Sequence, residues 1–227
     1  LAAGLLLGCT EREETLEGER LGVRTPVGAE GRSRTEAAPA ARVPALRLSR
    51  ARNVTQWSHR SAGADHLVPH AAFDGTPQLV WSADIGQGRS RRARITADPV
   101  SDGVRIYTID AASRLVATGL DGQRAWSLGL APAGEDPGSI AGPGLAVAGG
   151  RVYATTAFGE LLAIDARTGA LAWRQDLGAV PSGPPTVSGG LVYTVSRDGL
   201  GWAIDAATGR VRWQLSVQPV IVGISSG

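Results

Sequence analysis

Apolar residues in this chain come in short runs broken by Gly, Asp and Pro, and none keeps helical spacing over as many as eleven residues. Short runs bounded by turn formers predict strands, so the pattern points to an all-β protein. The runs "RVYATT" (151–156) and "LVYTVS" (191–196) are rich in β-branched residues and each carries a tyrosine. Such side chains suit a pleated, half-buried surface. Each run follows a Gly-Gly pair, which tolerates the positive φ of a tight hairpin turn. "FGELLAIDA" (158–166) and "DGLGWAIDA" (198–206) then supply a turn and a second strand ending at Asp165 and Asp205.

The same phrase returns along the chain. "DARTGALAW", Asp165 to Trp173, recurs as "DAATGRVRW", Asp205 to Trp213. An earlier, decayed copy runs from "SDGVRIYTID" (101–110), with Tyr107, to "GLDGQRAW" (119–126). There Gly122 precedes Trp126 by the interval that separates Gly169 from Trp173 and Gly209 from Trp213, which puts Thr118 at the Asp position. Trp81, in "QLVWSADIG", ends a fourth unit, with Leu79–Ile85 as its strand. The tryptophans lie 45, 47 and 40 residues apart. A period of that length fits one four-stranded blade of a β-propeller, in which stacked sheets bury faces that none could bury alone. Trp81, Trp126, Trp173 and Trp213 are therefore expected to dock one blade on the next. Gly122, Gly169 and Gly209 are expected in the turns, and Asp165 and Asp205 are expected to cap those turns by accepting amide hydrogen bonds.

Composition narrows the chemistry. The chain has 227 residues, 43% of them hydrophobic, with 31 Gly and 13 Pro, enough apolar content for a packed core with many turns. All 23 basic residues are Arg, which excludes a Schiff-base lysine and a phosphate-loop lysine. A net charge of +2 without a basic stripe interleaved with aromatics gives no reason to expect nucleic acid. With no Met present, we expect a fragment or a processed chain.

The start, "LAAGLLLGCT", has a short apolar stretch followed by the single cysteine, Cys9. Residues 1–8 read as the remnant of a secretory signal. Residues 9–52, dense in Glu, Arg, Ala, Pro and Gly, are too polar to order themselves and read as a tether. Residues 53–227 form the incomplete propeller, about four blades' worth of β-structure, with open edges that leave the isolated piece marginal or prone to aggregate.

"AIDARTGALAW" and "AIDAATGRVRW" fit the tryptophan-docking repeat of quinoprotein-like (PQQ-like) propellers. Together with Leu6-Leu7-Gly8-Cys9, which resembles a lipobox, and with "LEGERLGVR", "NVTQWSHRSAGADHLVPH" and "IGQGRSRRARITADPV", the chain resembles the BamB family of outer-membrane protein assembly lipoproteins. That resemblance implies a propeller of about eight blades, a lipid on Cys9 and a place on the periplasmic face of the outer membrane in a Gram-negative bacterium. Thr10 after Cys9 agrees with outer-membrane sorting. It also implies a non-catalytic scaffold without cofactor, binding the periplasmic domains of BamA and other barrel-assembly components. Counted from Trp213, the family's partner-binding loop falls on Val222 and Ile224, with Ser225 in place of the expected Arg. Val220–Ile224 reads more simply as the inner strand of a following blade.

Other motifs carry less. "GISSG" (223–227) matches a nucleophile elbow, but all three histidines precede it and no helix follows. His66 and His70 have metal-ligand spacing with Pro69 between them, and turn or packing roles suit them better. Gly86-Gln87-Gly88 lacks the third glycine of a dinucleotide loop. Arg89, Arg91, Arg92 and Arg94 form a basic cluster that reads as a solvated loop or a face for an acidic partner. Two other functions share this repeat: a fragment of a PQQ-dependent dehydrogenase, whose adjacent cysteine pair this sequence lacks, and a generic binding or sensor module.

Overall fold

The computed structural model describes residues 47–90, 94–136 and 144–216. Those from Leu48 onward gather into one unit. The fold is all-β, and among the described residues there are no helices.

Among the described residues, twelve strands make three antiparallel sheets in chain order. The first sheet holds β1 (Val100–Ser101), β2 (Arg105–Ile109), β3 (Arg114–Gly119) and β4 (Arg124–Gly129). The second holds β5 (Gly144–Ala148), β6 (Arg151–Thr155), β7 (Glu160–Asp165) and β8 (Leu171–Asp176). The third holds β9 (Thr186–Ser188), β10 (Leu191–Val195), β11 (Leu200–Asp205) and β12 (Val211–Ser216). Each strand pairs with its sequence neighbour, so every sheet is a meander.

The Gly-Gly pairs make the tight turns. Ala148 pairs with Arg151 and Ser188 with Leu191, leaving two-residue loops. Gly149 and Gly150 sit at φ 55° and 73°, and Gly189 and Gly190 at 58° and 78°. Two successive positive φ values are what a type I′ hairpin requires.

The second sheet is buried on both sides, which accounts for the unbroken apolar run in β7. Leu162 and Ile164 join Val152 and Ala154 in a core against Tyr107, Leu115 and Ala117 of the first sheet. Leu161 and Ala163 point the other way and join Tyr153 in a core with Val192, Trp202 and Ile204 of the third. Alternate side chains leave a strand on opposite faces, so a sheet covered on both sides shows no polar alternation. Each fully buried Leu or Ile stabilises the stack by about 1.5–3 kcal/mol. Leu130 and Leu177, each placed four residues after a docking tryptophan, are buried in these two cores.

Among the described residues the architecture is a partial β-propeller of three complete blades, preceded by a segment that docks Trp81 on the first. The expected strand over Leu79–Ile85 is absent, and Leu79 and Val80 are exposed. A strand exists only when its amides have a ladder to join, and no described strand pairs with this segment. It is held instead by Trp81 and by Gln87, whose N–H donates to Asp110 Oδ2 (2.9 Å) and whose carbonyl accepts from Ala111 N (3.0 Å). Gly86-Gln87-Gly88 is thus an anchor on the first sheet.

Candidate functional site

The side chains singled out by the repeat converge on the joints between sheets. Trp126 lies on the outermost strand of the first sheet, and its Nε1–H donates to Ala166 O of the second (3.1 Å). Trp173 repeats the contact one sheet on, donating to Ala206 O (3.1 Å). Trp81 donates to Leu120 O of the first sheet (2.8 Å).

Glycine is needed twice over at each joint. Gly122, Gly169 and Gly209 have φ of 81°, 76° and 74°. A Cβ at these positions would lie 3.0, 2.7 and 2.7 Å from the indole Cδ2 of Trp81, Trp126 and Trp173 respectively. A side chain there would be both backbone-strained and driven into the ring.

The acidic residues hold the turns that present those carbonyls. Asp165 Oδ1 accepts from Arg167 N (3.0 Å), Thr168 N (2.7 Å) and Thr168 Oγ1 (2.8 Å). Asp205 Oδ1 makes the same three bonds to Ala207 and Thr208. Asp205 Oδ2 also accepts from Arg212 Nη2 (2.7 Å) and Nε (3.2 Å). The Arg212 guanidinium and the Thr208 hydroxyl lower the Asp205 carboxyl to about 2. The Thr168 hydroxyl and amide lower that of Asp165.

Arg212 reaches Asp205 from a bulge. In β12 the pairing jumps from Ala203–Trp213 to Ile204–Val211, leaving Arg212 extra. The same jump in the other sheets leaves Ala172 and Ala125, which carry no charge. In the first sheet the register also moves the Asp position. Thr118 pairs with Arg124 as Ile164 pairs with Leu171, so Gly119, not Thr118, is the counterpart of Asp165. The turn there is one residue shorter, and Asp121 caps it from inside by accepting from Gln123 N (3.0 Å).

Tyrosines complete the joints. Tyr107, Tyr153 and Tyr193 stand beside Trp126, Trp173 and Trp213, with ring centroids 5.9, 5.9 and 6.1 Å apart. Tyr107 Oη lies 2.7 Å from Asp102 Oδ2 and 3.2 Å from Ala166 O. Tyr153 Oη donates to Ala206 O (3.2 Å), which also accepts from Arg151 Nη1 (2.7 Å). Burial raises both phenols. Burial also works to raise Asp102, but hydrogen bonds from Arg105 N and Tyr107 Oη outweigh it and leave the carboxyl lowered.

The third sheet carries the same pair on an open face. Trp213 is 47% exposed, and among the described residues neither its Nε1–H nor Tyr193 Oη has a hydrogen-bond partner. The two rings line an apolar groove of about 340 Å³ with Pro184, Val195, Trp202 and Leu215.

The other expected positions are scattered. Cys9, Val222, Ile224, Ser225, Arg91, Arg92 and the Gly223–Gly227 motif lie outside the described residues. Arg89 and Arg94 are exposed. His66 and His70 do not meet: His66 bonds Arg60 O and Thr186 Oγ1 (2.9 and 3.0 Å), and His70 bonds Ser49 O (2.6 Å). Repeat-based reasoning missed His59, which is 3% exposed and reaches the third sheet. It lies outside the repeating units, so periodicity offered no signal for it.

A family model described as outer membrane protein assembly factor BamB matches residues 119–226. The repeats are PQQ-like. Among solved structures, the quinohemoprotein alcohol dehydrogenase from Comamonas testosteroni is 22% identical, covering 71% of this chain and 27% of that one with a TM-score of 0.55. That likeness carries the fold. BamB from Moraxella catarrhalis matches at 20% identity, 56% and 38% coverage and a TM-score of 0.44. The quinohemoprotein alcohol dehydrogenase ADHIIG from Pseudomonas putida HK5 matches at 25% identity, 57% and 21% coverage and a TM-score of 0.46. The chain spans between 21% and 38% of the length of these structures. No curated protein matches it.

Proposed function

We propose that this chain belongs to a non-catalytic scaffold of the outer-membrane β-barrel assembly machinery, tethered by a lipid on Cys9 to the periplasmic face of the outer membrane. The observation that supports this most is the BamB-described family model over residues 119–226. The geometry agrees with a passive role for the acidic pair. Asp165 and Asp205 each turn Oδ1 to turn amides and a threonine hydroxyl, and Asp205 turns Oδ2 to Arg212, which makes them turn caps in this reading instead of ligands. Docked indoles and shared carbonyl acceptors make a stiff stack, suited to holding loops and strand edges toward a partner by β-augmentation.

The partner in this reading is the periplasmic part of BamA, met through Val222, Ile224 and Ser225. A pull-down with BamA periplasmic domains tests it: the full-length protein is expected to retain them, and no retention overturns the role. Adding the quinone and calcium and following dye reduction tests the other half, because turnover would assign the repeats to a dehydrogenase.

A further inference from the structure

Three consecutive residues near the start of the described chain touch three different sheets. Trp57 pairs with Ser101 of β1 through Trp57 N to Ser101 O (2.9 Å) and Ser101 N to Trp57 O (2.8 Å). Ser58 O accepts from Val147 N of β5 (2.8 Å). His59 Nε2 accepts from Val187 N of β9 (2.9 Å). These are the first, edge strands of the three sheets, and β5 lies beside both β1 and β9, so the segment lies across them as a strap.

The first two links join backbone to backbone and are indifferent to pH. The third depends on an imidazole lone pair. A backbone N–H can only donate, so Nε2 must carry no proton. The rest of the ring agrees: His59 Nδ1 lies 2.8 Å from Ser58 Oγ, whose own proton goes to Ala62 O (3.3 Å). Nδ1 is therefore the protonated nitrogen, and the ring is neutral.

His66, whose ring meets that of His59 edge-on at 6.3 Å, is built differently. Its Nδ1 donates to Arg60 O, and its Nε2 faces Thr186 Oγ1 (3.0 Å). A hydroxyl can reverse from donor to acceptor, so the Nε2 contact of His66 does not depend on a lone pair, whereas that of His59 does.

We propose that the Trp57–His59 strap is a pH-operated latch on the third sheet, released from Val187 when His59 takes up its second proton. Burial disfavours the charged ring, His66 acts in the same direction and Asp65 opposes them, with a net lowering. The ionisable groups facing His59 are thus His66 and Asp65. β9 contributes Thr186 and Val187, which do not titrate, while β1 and β5 meet the strap through backbone groups. Arg60 is turned away to Asp98 (3.2 Å). A native pKa below the ordinary value of 6.5 means that the unfolded chain binds the proton more readily. The latch therefore contributes stability that is complete above about pH 6.5 and is lost as pH falls through the window below it. This inference goes beyond the assembly role and holds whichever partner the protein serves.

Nitrogen-resolved NMR of the full chain tests it. At pH 8, His59 is expected as the Nδ1–H tautomer. As His59 titrates, protection of the Val187 amide should fall about tenfold relative to Val147, the order of one lost hydrogen bond. His59→Gln, which can offer an oxygen without titrating, should remove the extra loss of stability between pH 7.5 and 5. Should that variant fail to fold, the tautomer and the Val187 amide still decide. A proton on Nε2 at pH 8, or Val187 protection that ignores the titration of His59, overturns the latch.

Discussion

The joint between the second and third sheets and the open face of the third sheet are built from the same parts. Each has a tyrosine on the second strand and a tryptophan on the fourth, with ring centroids 5.9 and 6.1 Å apart. The spacing is the same whether or not a described carbonyl accepts from the pair, so it is set within one sheet by strand register. The difference is on the acceptor side. Trp173 and Tyr153 share Ala206 O, whereas no described residue offers Trp213 and Tyr193 a carbonyl. A sheet of this kind therefore arrives with its donors preset, and the Asp-Thr-Gly turn of the next one completes the joint.

The comparison breaks most sharply at glycine. Gly169→Ala would put a Cβ 2.7 Å from the Trp126 ring at φ 76°, and is expected to cost about 3 kcal/mol or more in denaturant unfolding. Gly189→Ala, with φ 58° and nothing within 4 Å, bears backbone strain alone, and should cost about 1 kcal/mol. Equal losses would show that contact with the indole is not what the glycine serves. Next come the tryptophans. Trp173→Ala removes a docked ring and should cost about 3 kcal/mol, while Trp213→Ala on the open face should cost about 1 kcal/mol or less.

The smallest effect separates the two turn caps. Asp205, held at about 2 by Arg212 and Thr208, contributes stability that is full above the ordinary value of 3.8 and lost as pH falls through the native value. Asp165→Asn should flatten the acid limb of the stability curve less than Asp205→Asn does, because Ala172 stands where Arg212 does. Identical acid limbs in the two variants would remove Arg212 from the explanation.

Much of this fold was legible because the joint needs rare residues at fixed offsets. Trp is scarce, a glycine at positive φ must sit under the indole of the preceding unit, and the two-residue hairpins need Gly-Gly, so Trp126, Trp173 and Trp213, each four residues after such a glycine, stand out in the text. What escaped has a physical reason in each case. Leu79–Ile85 has strand-like residues but no ladder to join, and pairing is not written in the segment itself. Counting back from Gly122 gave Thr118 the place of an aspartate, because a turn one residue shorter preserves the glycine offset while shifting everything before it. The His59 strap comes from outside the repeats and acts mainly through backbone groups, which side-chain pattern does not report.

Indole-to-carbonyl docking couples successive sheets in this structure. Hydrogen exchange of the individual indole N–H groups tests it most directly. In this 227-residue chain, the Trp126 and Trp173 indoles are predicted to exchange slowly and together, with Trp213 fast. Fast exchange at Trp126 and Trp173, or protection of all three alike, would contradict it.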